Sequence, residues 1–229
     1  MKRLNFGFLT LALAIIFAIV FTACGAAGLE ELEDLLGRTG GTDDKYEVGQ
    51  RGHGGGVVFY VDEEGFEVDG ETYYYLEAAP NNLGNAQWGA SGEEISGITD
   101  TLNHPVFYSY EDFIKYFVGK GKMDTLAIVE YFEDFPEAQP RAAQIAANAD
   151  FGGLNDWYLP NAIELDLLHQ QKDLEGIKIA SGRYWSSSQG NSRFVVYKDF
   201  SYSVFYGNTD FSVIAKTNSY RVHPIRAFR

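Results

Sequence analysis

The chain has 229 residues and a net charge of −14, with 32 acidic against 18 basic side chains. An acidic excess of that size repels a phosphate backbone, so general nucleic-acid binding is excluded. Cys24 is the only cysteine, so the fold must rest on an apolar core rather than on disulfides, and 15 Tyr and 17 Phe can fill it.

Lys2 and Arg3 precede a nearly continuous apolar run from Leu4 to Ala23, the pattern of an export leader covering residues 1–23. Phe21-Thr22-Ala23-Cys24 resembles a bacterial lipobox, with Phe21 where Leu is usual. The resemblance implies that Cys24 is lipidated, becomes the mature N-terminus and tethers the chain to a membrane, at the outer membrane or cell surface. About 20 apolar residues also suffice to span a bilayer, so an uncleaved anchor is the alternative. On both readings the remainder lies outside the cytoplasm. Charge is unevenly spread along it: residues 24–171 carry 7 basic and 28 acidic side chains, residues 172–229 carry 9 and 4.

Residues 24–51 are polar, charged and Gly-containing, as a linker between lipid and domain should be. Leu29, Leu32, Leu35 and Leu36 form a helical stripe too short for a coiled-coil stalk and sufficient for a short amphipathic turn. A single domain is expected over 52–229. Val57 to Val61 and Thr72 to Glu77 have strand composition, and Asp62-Glu63-Glu64-Gly65 is expected to turn one back on the other. The preceding His53-Gly54-Gly55-Gly56 is not a phosphate loop, because it lacks the Gly-Lys-Ser/Thr ending and comes before a strand. No cofactor is implied.

A loop-rich region with Ala79-Pro80 and Gln87-Trp88-Gly89 extends to Pro105. Helical spacing follows over Tyr110 to Val118 and Asp124 to Phe135, with Asp124 as the expected N-cap, and an Ala-rich helix over Arg141 to Ala149. Asp150 to Asp156 favours turns, and Pro160 keeps Trp157 to Leu159 extended. Asn161 and Glu164 then make a capping box for a helix whose apolar stripe is Ile163, Leu167 and Leu168. From Arg183 onward the period changes to two. Short strands are expected over 184–188, 193–198, 202–206 and 220–223, mostly antiparallel, with Pro224 at a bulge or strand edge.

Together, Gly54 to Val61, Leu76 to Pro80, Ala86 to Gly89, Asp156 to Pro160 with Glu164-Leu165, Tyr184 to Ser188 and Tyr220 to Phe228 resemble a bacterial family. That family is named after the C-terminal domain of a collagen-like surface protein and was formerly a domain of unknown function. The resemblance implies an α+β, C-type-lectin-like fold, with two or three helices packed on small antiparallel β-sheets and long loops. It also implies a surface module with no established enzymatic activity, some members being implicated in glycan binding or adhesion. A more distant similarity to formylglycine-generating enzymes implies no such chemistry here, because those enzymes need active-site cysteines.

Asp150, Asn155 and Asp156 are oxygen donors of the type calcium takes, but such sites need about six or more oxygens, and the alternative is that these side chains satisfy the loop backbone. His53, His104, His169 and His223 have no metal-ligand spacing, so no metal site is expected. Ser186, Ser187 and Ser188 lack the Gly-x-Ser-x-Gly elbow of a nucleophile. The remaining signal is the basic, aromatic C-terminal quarter, where Trp185, Arg193, Tyr197, Lys198, Arg221 and Arg226 form the candidate ligand-binding set. The alternative is that these cations neutralise the acidic part of the same chain. The expected partners are a membrane through the lipid, and a surface glycan, especially an anionic one, or an envelope protein. The function that follows is a non-catalytic, adhesin-like binding module. A structural or protein-interaction role in the envelope is the alternative, and an enzyme a third.

Overall fold

A computed structural model describes residues 45–101, 103, 106–135, 140–202 and 211–229. The leader, Cys24, the Leu29–Leu36 stripe, His104 and all but the first residue of the expected 202–206 strand lie outside the described residues. The described residues from Tyr46 onward belong to one compact unit. Gly49 donates its backbone N–H to Val58, and Val58 returns one to Gln50, so the last part of the expected linker pairs onto the first strand.

The chain is mixed α+β. Strand β1 (Val57–Val68) pairs antiparallel with β2 (Glu71–Ala78), and β2 with β8 (Ile225–Phe228), giving a three-stranded sheet in the order β1-β2-β8. The acidic Asp62–Gly65 segment is not the hairpin turn. Asp62 accepts from the backbone N–H groups of Glu64 and Gly65, which makes a bulge that strand pairing survives, and the chain reverses later at Asp69-Gly70, both at positive φ.

The second sheet has five strands in the order β3-β7-β4-β5-β6: β3 (Asn85–Gln87), β7 (Ser219–Arg221), β4 (Arg183–Gln189), β5 (Phe194–Asp199) and β6 (Ser212–Ala215). Its pairs are antiparallel except β4 with β7, which run parallel. Pro224 marks a larger break than a bulge, because Val222-His223-Pro224 carries the chain from β7 in one sheet to β8 in the other.

Among the described residues there are four helices: α1 (Tyr110–Phe117), α2 (Lys120–Glu133), α3 (Ala142–Ala147) and α4 (Ala162–Gln170). Helix α4 is buried from Ala162 to His169 and contacts β1, β4 and β5, so it is the central rod rather than a surface helix. One apolar cluster, with Phe59, Leu76, Leu165, Leu168, Tyr184, Phe200 and Ile225, joins α4 to both sheets. A second holds Trp88, Ile128, Phe132, Trp185, Val195 and Val222, and the small side chains of Ala142, Ala143 and Ala146 let α3 approach it closely. The two tryptophans of this second cluster are buried with their indole N–H satisfied: Trp88 donates to the Ser186 carbonyl at 2.8 Å and Trp185 to that of Ala86 at 2.7 Å.

Candidate functional site

The motifs that are far apart in sequence meet first in an interior charge cluster. Glu77 of β2 is fully buried, and its carboxylate accepts from the backbone N–H groups of Gly54 at 3.1 Å and Gly56 at 2.8 Å and from Arg226 Nη1 at 3.1 Å. The glycine run is therefore an anion cradle for the chain's own carboxylate. A side chain at Gly56 has no room, since a Cβ there would stand 1.8 Å from the Ala78 carbonyl oxygen. Arg226 turns its other edge to Asp156, with Nε and Nη2 at 2.8 and 2.9 Å from the two carboxylate oxygens, and lies 5.8 Å from the Trp157 ring. Asp156 thus gives both oxygens to Arg226. Among the described residues no group of three or more His, Cys, Asp or Glu is placed to hold a metal ion.

A second interior network surrounds the start of α4. Asn161 accepts from Ile163 and Glu164 N–H, and Glu164 answers to Asn161 N–H at 2.8 Å, so the capping box forms as expected. Glu164 also accepts from Gly119 N–H at 2.8 Å, and Asn161 Nδ2 donates to the Phe117 carbonyl at 2.7 Å. Asp124 is not an N-cap. It lies one turn inside α2, fully buried, accepting from Thr99 N–H at 2.8 Å and from the Ser187 hydroxyl at 3.4 Å. Burial pushes its carboxyl up to about 7, against the bonds from Thr99 and Ser187 and the charge of Lys120. Burial raises Glu164 as well, with Asp124 adding to it and backbone donors from Asn161, Gly119 and Gly121 opposing. Ser186 and Ser188 serve structure: Ser186 donates to the Val196 carbonyl, and Ser188 accepts from Ala162 N–H.

The ligand set expected from sequence is not brought together. Trp185, Lys198 and Arg226 are buried, which takes them out of a surface site. Lys198 pairs with Asp166 at 2.5 Å, so one of the two buried acids of α4 is neutralised from β5. Arg221 donates to the Ser181 carbonyl beside the Tyr184 ring. Arg193 is exposed at the turn end of the β4–β5 hairpin, about 20 Å along the strand direction from Arg183. Arg229 pairs with Glu71. Lys216 is also interior, donating to Gln189 Oε1 at 2.6 Å and to the Glu93 carbonyl above Trp88, and burial lowers its ammonium to about 8.

One face of the five-stranded sheet does bring basic, acidic and aromatic groups together at the surface. Arg183 faces Asp199 across the β4–β5 pair, and two residues inward Trp185 faces Tyr197. Arg183 Nε lies 3.3 Å from Asp199 Oδ2, with the side chains 51% and 19% exposed. Its Nη1 donates to the Tyr220 hydroxyl at 3.0 Å, and the guanidinium centre lies 5.5 Å from the Tyr220 ring and 5.6 Å from that of Tyr197. Tyr197 and Tyr220 meet edge to face at 5.1 Å, and Tyr220 rests on buried Trp185 at 4.4 Å. Of the expected set, Tyr197 and, buried beneath Tyr220, Trp185 belong to this face. The Arg183–Asp199 pairing follows a register shift between Trp185 and Gln189, and Tyr220 arrives through a parallel pairing of β4 with β7, so no local pattern announces either.

The chain matches no protein-family model and no curated protein.

Proposed function

We propose that the chain is an envelope lipoprotein, tethered through Cys24, whose domain has a C-type-lectin-like fold and acts by binding a surface ligand rather than by catalysis. The observation that supports a binding role is the half-exposed Arg183, held over the rings of Tyr197 and Tyr220 on one sheet face. A guanidinium fixed over aromatic rings offers fanned donors and flat apolar surface together, the combination that a saccharide requires. The test is binding of the detergent-solubilised full chain to immobilised glycans, beside Arg183→Ala. Loss of binding in the variant supports the reading, and no binding by the wild type to any glycan sinks it. Incorporation of labelled palmitate into the wild type but not Cys24→Ser tests the tether separately.

The protein-interaction reading is favoured by a different surface. Val106 and Tyr108 are 91% and 102% exposed, and Tyr116, Met123 and Leu126 follow within the next turns of α1 and α2. Such a concentration of exposed apolar side chains in one stretch suits a protein contact. A stoichiometric crosslink through this segment, with glycan binding absent, would favour that role.

A further inference from the structure

Whether the Arg183 face takes an anionic or a neutral sugar is decided by Asp199. The two side chains are direct cross-strand partners, and the carboxylate stands 3.3 Å from the guanidinium. Asp199 is anchored from behind, because its Oδ1 accepts from the backbone N–H of Ser201 at 2.9 Å, while Oδ2 is the oxygen turned to Arg183. An incoming sulfate or carboxylate would therefore have to displace or approach a fixed negative charge, on a chain whose net charge is already −14. A neutral sugar meets no such penalty. Its hydroxyls both donate and accept, so a vicinal pair can give one hydrogen bond to Asp199 and take one from Arg183, while the apolar face of the ring packs on the part of the half-buried Tyr197 and Tyr220 rings beside the guanidinium.

Resting on the binding role proposed above, we infer that the Arg183–Asp199–Tyr197–Tyr220 face is a site for a neutral saccharide, bound through adjacent hydroxyls. Arg183 is the donor, Asp199 the acceptor, and the two tyrosines are the platform, with buried Trp185 holding Tyr220 in place. Asp199 on this view is a recognition residue, not merely the counter-ion of Arg183.

The deciding variant is Asp199→Asn, close to isosteric and able to keep the Ser201 N–H bond, with Tyr220→Phe as a second variant that keeps the ring and removes the hydroxyl from Arg183. The full chain in detergent is titrated with dextran and galactomannan as neutral probes, and with heparin and polygalacturonate as anionic ones, at low and at moderate salt. The expected result is binding of a neutral probe that is nearly insensitive to salt and weakened about tenfold or more by Asp199→Asn. Binding of the anionic probes alone, falling steeply with salt and strengthened by Asp199→Asn, overturns the neutral assignment while leaving the binding role standing. Neutral binding unchanged in both Asp199→Asn and Tyr220→Phe overturns the assignment to this face. Binding of no probe by the wild type overturns the binding role itself.

Discussion

Glu164 caps a helix other than its own: its Oε1 accepts the backbone N–H of Gly119, the N-cap of α2, at 2.8 Å. Gly119 has no side chain with which to cap α2, and the α4 capping box supplies the acceptor from 45 residues away. The partner residue completes the clasp, since Asn161 donates to the Phe117 carbonyl at the end of α1. The break between α1 and α2 is thus fastened on both sides by the first turn of α4.

Truncating Glu164 removes caps from two helices and strands buried N–H groups, so Glu164→Ala is expected to cost about 3 kcal/mol or more. Gly121→Ala should do comparable harm from the other side, because a Cβ there would stand 2.1 Å from Glu164 Oε2. Urea unfolding with an unchanged m-value measures both. A loss below about 1 kcal/mol in each variant would show that the clasp is not a stability element.

The Glu77–Arg226 pair makes a sharper claim. Arg226→Met leaves Glu77 charged and buried on the backbone N–H groups of Gly54 and Gly56 and is expected to cost about 3–5 kcal/mol, whereas Glu77→Gln leaves Arg226 paired with Asp156 and should cost less. Because each single change already loses the same interaction, the double variant should fall short of the sum by at least about 1 kcal/mol. Additive losses in a double-mutant cycle would mean that the two side chains act independently, contrary to their 3.1 Å contact.

These two clusters also mark where sequence reading stops. The capping box, the turn at Asp150 to Asp156, the extended Trp157 to Leu159 and the period-two strands over 184–188, 193–198 and 220–223 rest on relations of two to four residues, and local pattern carries those. The start of α2 was misplaced because its cap comes from Glu164, and Asp124, a good N-cap type, is instead sunk against Ser187. Glu77 and Arg226 are 149 residues apart, so neither could be assigned a partner from spacing. The reading that the C-terminal cations neutralise the acidic part holds for Arg226 with Glu77 and Asp156, for Lys198 with Asp166 and for Arg229 with Glu71. At the Arg183 face the antiparallel neighbours β4 and β5 were legible, but the Arg183–Asp199 pairing, which follows a register shift, and the arrival of Tyr220 on a parallel strand were not.

Asp124 gives a prediction in pH. Its folded value, about 7, lies above its ordinary 3.8, so the folded chain holds a proton that the unfolded chain releases. The stability this gives is present below about pH 4 and is lost as pH rises toward 7, by an amount on the order of 4 kcal/mol. When protonated, the group can donate to Ser187 Oγ while still accepting from Thr99, and Asn can do the same. Asp124→Asn is therefore expected to remove this fall between pH 4 and 7, read as a flatter plot of unfolding free energy against pH. An unchanged slope would mean that Asp124 is ionised in the fold at neutral pH.

His223 works in the opposite direction at the seam between the sheets. It is buried in the Val222–Pro224 crossover, 6.3 Å from the Tyr184 ring, and neither ring nitrogen has a hydrogen-bond partner among the described residues. Burial lowers its pKa to about 4, against a smaller opposing effect of the Ala79 backbone. Below about pH 6.5 the unfolded chain takes up a proton that the folded chain refuses until about pH 4, so stability falls across that window as pH drops, by about 3 kcal/mol in all. His223→Phe removes this component and the two unpaired nitrogens with it. The Asp124 and His223 windows overlap with opposite sign, and Glu164 adds to the Asp124 side. Relative to wild type, His223→Phe should therefore make stability fall more steeply as pH rises from 4 to 6.5, Asp124→Asn less steeply, and the double variant should return close to the wild-type slope. If His223→Phe leaves the slope between pH 4 and 6.5 unchanged, the imidazole is not the neutral, unpaired group that its position in the seam makes it.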